Sequence, residues 1–154
     1  MKTIHQWLAE YDESHQNETN KLIHWLCVPA IFFSIVALFY AIKLPFILSG
    51  HQLNVAFVVL SFVLIYYFML SKSLSIGMFL FTLLCLWLCH FIEQTGLIKL
   101  WLFAIIVFAA AWVGQFYGHK IEGKKPSFLK DIQFLMIGPA WLMSFIYKKL
   151  GVGL

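Results

Sequence analysis

Arginine is missing from this chain, and charge of either sign is scarce. All 11 basic residues are lysines, seven residues are acidic, and charged residues fill only 12% of the 154 positions. Soluble domains carry about 25%, so these side chains cannot cover a water-facing surface. No basic stretch is interleaved with aromatics on a polar face, which argues against nucleic acid as a partner. Cysteine is sparse too. Cys27, Cys85 and Cys89 are odd in number and lie in apolar runs, which excludes a disulfide framework and makes them packing residues. Cys85 and Cys89 share a helix face, but no further sulfur ligand accompanies them. The first apolar run follows a polar segment and has no small-residue cleavage site, so no removable signal peptide is expected. Low-complexity linkers and internal repeats are also lacking.

What the chain has instead is hydrophobic residues, at 62% of positions, with a mean hydropathy of +0.84. The composition predicts an all-α integral membrane helical bundle, a single membrane domain over 1–154. Four apolar runs, near 22–42, 53–70, 74–91 and 97–117, each approach the roughly 20 residues a helix needs to cross a bilayer. A fifth run, 132–147, is shorter and interrupted at Gly138-Pro139, so it is read as a broken segment that spans, kinks or re-enters. The expected count is four to five transmembrane segments. Strands are set aside, because the runs do not alternate and a barrel needs many more of them.

Ahead of the spans, Ile4, Trp7, Leu8, Tyr11 and His15 recur at helical spacing. This predicts an amphipathic interfacial helix over 3–15, with Trp7 and Tyr11 at headgroup depth. The polar break after it offers Asn17 or Thr19 as cap for the next helix. With the N-terminus in the cytoplasm, Lys2, Lys21, Lys72, Lys120, Lys124, Lys125 and Lys130 lie inside and Lys43 and Lys99 outside, an orientation favoured seven to two. His5, His15, His24 and His119 then share the cytoplasmic face, while His51 and His90 fall near the other. A core about 30 Å thick separates the two sets, so one metal ion cannot use both.

Two polar patches border the apolar runs on that shared face. In "HQNETNKLIHWLCVP" (15–29), Asn20 and His24 are i, i+4 neighbours, and the break before them allows His15 to fold back. In "WVGQFYGHKIEGKKP" (112–126), Gln115, His119 and Glu122 line one helix face, Gly118 permits close backbone approach, and Gly123 with Pro126 closes the helix. Three imidazoles and a carboxylate at one membrane face suit non-haem Fe(II), and also zinc or manganese. Taken singly, each of these histidines reads first as a headgroup anchor in a polar collar, and only the joint set with Glu122 on one side puts ligation level with it. Asn20 and Gln115 lie one turn from a histidine and can orient it. Lys124 and Lys125 form a positive-inside collar that can also meet the carboxylate of an arriving lipid. His5 sits early on the first helix, His51 reads as loop, and His90 with Glu93 as an anchor on the far side.

Tyr11, His15, Asn20, Leu22-Ile23-His24 and Val28-Pro29, followed by Trp112, Gln115-Phe116, Gly118-His119, Glu122, Pro126 and Pro139, resemble the 2-hydroxy fatty acid dioxygenase family. That family includes a fungal enzyme converting phytosphingosine to odd-numbered fatty acids. One departure is Gln16, where fungal members carry a second histidine beside the first. The resemblance implies an Fe(II)-dependent membrane dioxygenase that removes one carbon from a 2-hydroxy fatty acid with O2 (α-oxidation). It implies His15, His24 and His119 as iron ligands, and Glu122 as ligand or supporting group. Competing readings are a haem-binding membrane protein, a non-enzymatic transporter or scaffold, and a zinc-dependent lipid hydrolase. A homo-oligomer is compatible with all of them. The expected location is a bacterial inner membrane, or the endoplasmic reticulum in a eukaryotic host.

Overall fold

The computed structural model describes residues 2–48, 51–125 and 133–154. Six helices and one short hairpin follow in order: α1 (Ile4–Asp12), α2 (Glu18–Tyr40), β1 (Lys43–Leu48), β2 (His51–Asn54), α3 (Val55–Leu70), α4 (Lys72–Thr95), α5 (Leu100–Glu122) and α6 (Phe134–Leu150). Local chemistry sets the boundaries. Thr3 and Gln6 form a reciprocal capping box on α1. Of the two candidate caps for α2, Asn17 takes the role, accepting from the Thr19 and Asn20 amides. Gly123 ends α5 in the left-handed region at φ 71°, a conformation that costs glycine nothing. Pro126, Lys130 and Ile132 lie outside the described residues.

Among the described residues, α2, α4 and α5 are long and apolar enough to cross a membrane. Helix α3 is apolar but has 16 residues, which at 1.5 Å each span about 24 Å against a core of about 30 Å. Large apolar side chains face outward around the bundle: Leu26 is 72% exposed, Phe62 70% and Val113 70%. Water does not accommodate such a belt, and lipid does.

Three features depart from the sequence reading. Strands do occur: β1 and β2 pair antiparallel, from Lys43 opposite Asn54 to Leu48 opposite His51. They link α2 to α3 and do not span; pairing lets a short link beside apolar helices satisfy its own backbone groups. His51, read as loop, opens β2. The last segment is one helix through Pro139, not a broken one. Gly138 explains why it is held there: a Cβ at that position would lie 3.0 Å from the Tyr11 hydroxyl and 3.3 Å from Val28. Finally, α1 spends its apolar face on the protein. Ile4, Trp7 and Tyr11 are buried, with Trp7 edge-on to Phe134 at 5.5 Å and Tyr11 against Trp141 at 5.4 Å, both on α6.

Helix α2 is the central element, packed most extensively on α5 and touching α3, α4 and α6. Gly114 and Gly118, one turn apart on α5, make that approach close. Cβ atoms there would fall 2.6 Å from Cys27 Sγ and 2.4 Å from Asn20 Oδ1. Small residues at this spacing are how apolar helices associate where lipid supplies no hydrophobic drive. Hydroxyls tie α6 to its neighbours. Tyr67 on α3 donates to the Met136 carbonyl at 2.7 Å, and Tyr147 donates to the Ser73 carbonyl while accepting from the Gly77 amide. Tyr67 is fully buried. Tyr67→Phe is expected to cost about 1 kcal/mol, read as a lower midpoint in thermal unfolding in detergent with unchanged helix content by circular dichroism.

Candidate metal centre

The loop between α1 and α2 folds back on itself. The His15 amide donates to the Asp12 carbonyl at 2.9 Å, and its ring stacks flat on Tyr11, with centroids 4.1 Å apart and planes 8° from parallel. His15 Nδ1 lies 2.5 Å from the Tyr11 carbonyl. His24 repeats the arrangement one helix later, its Nδ1 lying 2.9 Å from the Asn20 carbonyl. A carbonyl only accepts, so each Nδ1 carries the proton and each Nε2 presents a lone pair. Those two Nε2 atoms are 2.9 Å apart.

His119 comes in from α5, its ring centroid 4.9 Å from those of both His15 and His24. One nitrogen from each of the three rings lies within 4.8 Å of the others. All three rings are buried, His15 and His24 completely. The structure therefore converges residues 15, 24 and 119, which span more than a hundred positions. Burial, with His24 beside it, pushes the His15 pKa down to about 3, so this imidazole stays neutral at physiological pH.

The donor set fits a metal ion. Two lone pairs facing each other at 2.9 Å repel unless an electrophile sits against both. Nitrogens about 2.1 Å from a common ion stand about 3.0 Å apart at right angles and about 3.4 Å apart in a tetrahedron. The His15–His24 pair matches the right-angled case, and the nitrogens of the full trio lie within 4.8 Å of one another. His119 Nδ1 is buried with no hydrogen-bond partner among the described residues, as expected of a nitrogen waiting for a ligand bond. The close Nε2 pair does not suit axial ligation of a haem, whose two nitrogens stand on opposite faces of a macrocycle.

Glu122 is not drawn into the three-histidine group. Its Oε1 accepts from the Gln16 amide at 2.9 Å, and Oε2 accepts from the Asn17 amide at 2.9 Å and from Asn20 Nδ2 at 3.0 Å. The carboxylate thus clamps the α1–α2 loop onto the end of α5. Asn20 is buried, donates also to the Ser14 carbonyl at 3.3 Å, and meets the bare face of Gly118. Gln16 uses its side chain on Asp12. Lys124 donates to the Glu13 carbonyl, Lys125 is exposed, and neither lines the cavity described next. Glu93 binds Lys43 at 2.8 Å, and His90, one turn away on α4, is exposed.

Beside the histidines opens an apolar cavity of about 400 Å³, within the range of ligand sites. Tyr11, Trp112, Gln115 and His119 border its polar end, and the rest is walled by α2, α3 and the first turns of α6. The Gln115 side chain makes no hydrogen bond to a described residue and faces this space. Sequence reasoning missed the cavity, because its walls are ordinary valines, isoleucines and phenylalanines. It also left Tyr11 without a part in the site, although the shared spacing of Tyr11 and His15 on one helical face was a signal.

A family model described as "Mpo1-like: 2-hydroxy-palmitic acid dioxygenase Mpo1-like" matches residues 1–150. The chain belongs to this family. It is 30% identical over 146 residues to 2-hydroxy-palmitic acid dioxygenase MPO1 of Saccharomyces cerevisiae, an alignment covering 94% of this chain and 79% of that protein. No solved structure matches. The Mpo1-like match covers all three histidines and every helix described above.

Proposed function

We propose that this protein is an Fe(II)-dependent membrane dioxygenase that shortens 2-hydroxy fatty acids by one carbon. The observation that carries it is the buried triad of His15, His24 and His119 at the head of an apolar cavity, in a chain similar to a 2-hydroxy-palmitic acid dioxygenase. A lipid acid has the matching two ends: a polar, chelating 2-hydroxycarboxylate and an apolar tail.

The triad would hold the iron. When bound, Fe(II) supplies the redox chemistry that lets O2 react with the 2-hydroxy acid. The overall change balances as one 2-hydroxy acid plus one O2 giving the acid one carbon shorter, one CO2 and one water. The substrate supplies all four electrons, so no further reductant is needed.

The chain's own residues do the rest. The Tyr11 and Asn20 carbonyls keep the Nδ1 protons of His15 and His24 in place, and so hold each Nε2 as donor. Glu122 positions the loop that carries His15; it is a positioning residue acting through the Gln16 and Asn17 amides. Gln115 borders the polar end of the cavity and offers its amide to the substrate headgroup. The apolar walls exclude water and align the tail, which is the positioning part of catalysis. With the N-terminus cytoplasmic, the site opens at the cytoplasmic side of the membrane.

Anaerobically purified protein loaded with Fe(II), then given O2 and a 2-hydroxy fatty acid, is expected to consume one O2 per acid lost and to release the odd-numbered product from an even-numbered substrate. No O2 uptake and no shortened acid, with fatty acid released from an ester lipid by the zinc-loaded protein, would replace this reading with the hydrolase one.

A further inference from the structure

The cavity runs well beyond the space a headgroup needs. On α2 it is lined by Val28, Ile31, Phe32, Ile35, Val36 and Phe39, and on α3 by Ala56, Val59, Leu60 and Val63. Both sets recur at three- and four-residue spacing, so two facing stripes form one channel along the helix axes. Helix α3 starts where α2 ends, since the Val55 amide donates to the Ile42 carbonyl at 3.0 Å. Phe39 and Ala56 therefore share the end remote from His119.

We propose that this far end, made by Phe39 on α2 with Ala56 and Leu60 on α3, is a ruler that sets the longest acyl tail the cavity accepts. The proposal rests on the dioxygenase reading for the headgroup and deepens it.

Length supports it. From Val28 to Phe39 is eleven residues, about 16 Å of helix. An extended chain advances about 1.2 Å per bond, taking a peptide's 3.3–3.6 Å over three bonds. The stripe thus covers about thirteen carbons, with the carboxyl end above it at the histidines. What lies past the floor supports it as well. Ala56 and Leu60 are buried at 1% and 5% exposure, so the walls have little room to part. Immediately beyond, the surroundings turn polar. Lys43 pairs with Glu93 and sits 4.3 Å over the Tyr40 ring, and Asn54 is buried with Oδ1 unpartnered among the described residues. A second cavity of about 420 Å³ is lined by these groups together with Gln52 and His90. A longer tail would meet packed side chains first and desolvated polar groups next, and both are unfavourable.

The test reads bound lipid and not turnover. Protein reconstituted in bilayers without O2 is equilibrated with an equimolar mixture of saturated 2-hydroxy acids, and the acids that remain bound are counted by mass spectrometry. Chains that just fill the stripe with the headgroup at the histidines are expected to be enriched about tenfold over those four carbons longer. Phe39→Ala deepens the floor and is expected to move the maximum to chains about three carbons longer. Ala56→Leu raises the floor and should move it to shorter ones. If Ala56→Leu does not fold, Phe39→Ala decides alone. A maximum that stays in place in the folded variants, or no enrichment by length, overturns the ruler. The same mixture of acids lacking the 2-hydroxyl is run in parallel. A length maximum that shifts equally in both series, with no preference for the hydroxyl, supports the ruler and sinks the dioxygenase reading.

Discussion

Replacing His24 and His119 together by alanine is expected to strip the protein of iron, from near one ion per chain to background, with loss of O2 consumption. The reason is geometric. A lone His15 imidazole keeps one ligand bond, and a single imidazole does not hold a divalent first-row ion against water. Losing even a supporting hydrogen bond at such a site costs 10–100-fold in metal affinity, and losing two of three ligands costs far more. The fold is expected to survive, because removing facing lone pairs 2.9 Å apart relieves repulsion in the metal-free protein and offsets part of the cost of the two cavities left behind. Elemental analysis of anaerobically purified wild type and double mutant, with circular dichroism on both, checks the expectation. Zinc in place of iron would keep the site and change the chemistry. A metal-free wild type that also fails to take up added Fe(II) would reduce the three histidines to a polar collar.

Glu122→Ala is expected to separate support from ligation. The carboxylate accepts three hydrogen bonds, two from backbone amides of the loop that carries His15. Hydrogen bonds to a charged group contribute about 1.5–3 kcal/mol each. Glu122 is only half-buried, so solvent compensates part of the loss and about 2–3 kcal/mol overall is expected. The loop then frays, His15 loses its fixed place, and Fe(II) affinity falls about 10–100-fold while full occupancy is still reached at high iron. Iron titration by a competing chelator, paired with thermal unfolding, measures both effects. Complete loss of iron at any concentration, with stability unchanged, would make Glu122 a direct ligand instead.

Reading the fold from the sequence succeeded where the signal is local. Apolar runs marked α2, α4 and α5 to within a few residues, because lipid demands long uninterrupted stretches and every residue of such a helix obeys that demand. The same logic failed at Gly138-Pro139. A proline is a strong local signal for a break, but the neighbouring glycine lets α6 press against Tyr11 and Val28, and that packing holds the helix through the proline. The β1–β2 hairpin left no trace in hydropathy, since its pairing satisfies backbone groups and not side chains. Gly114 was overlooked as half of a close helix contact with Cys27, and only the crossing of α2 and α5 gives it meaning.

The site divides in the same way. Composition and spacing alone determined that this is a chain for lipid surroundings and that His24 and His119 each stand one turn from a polar partner. Tertiary structure decided that His15 turns inward onto Tyr11, that the three rings converge, that Glu122 binds loop amides, and that apolar side chains of α2 and α3 line one cavity with Gln115 and His119. Periodicity reports which way a side chain points from its own helix. Convergence depends on how helices far apart in sequence are placed against one another, and that placement is set by contacts such as Gly118 on Asn20, which no local pattern encodes.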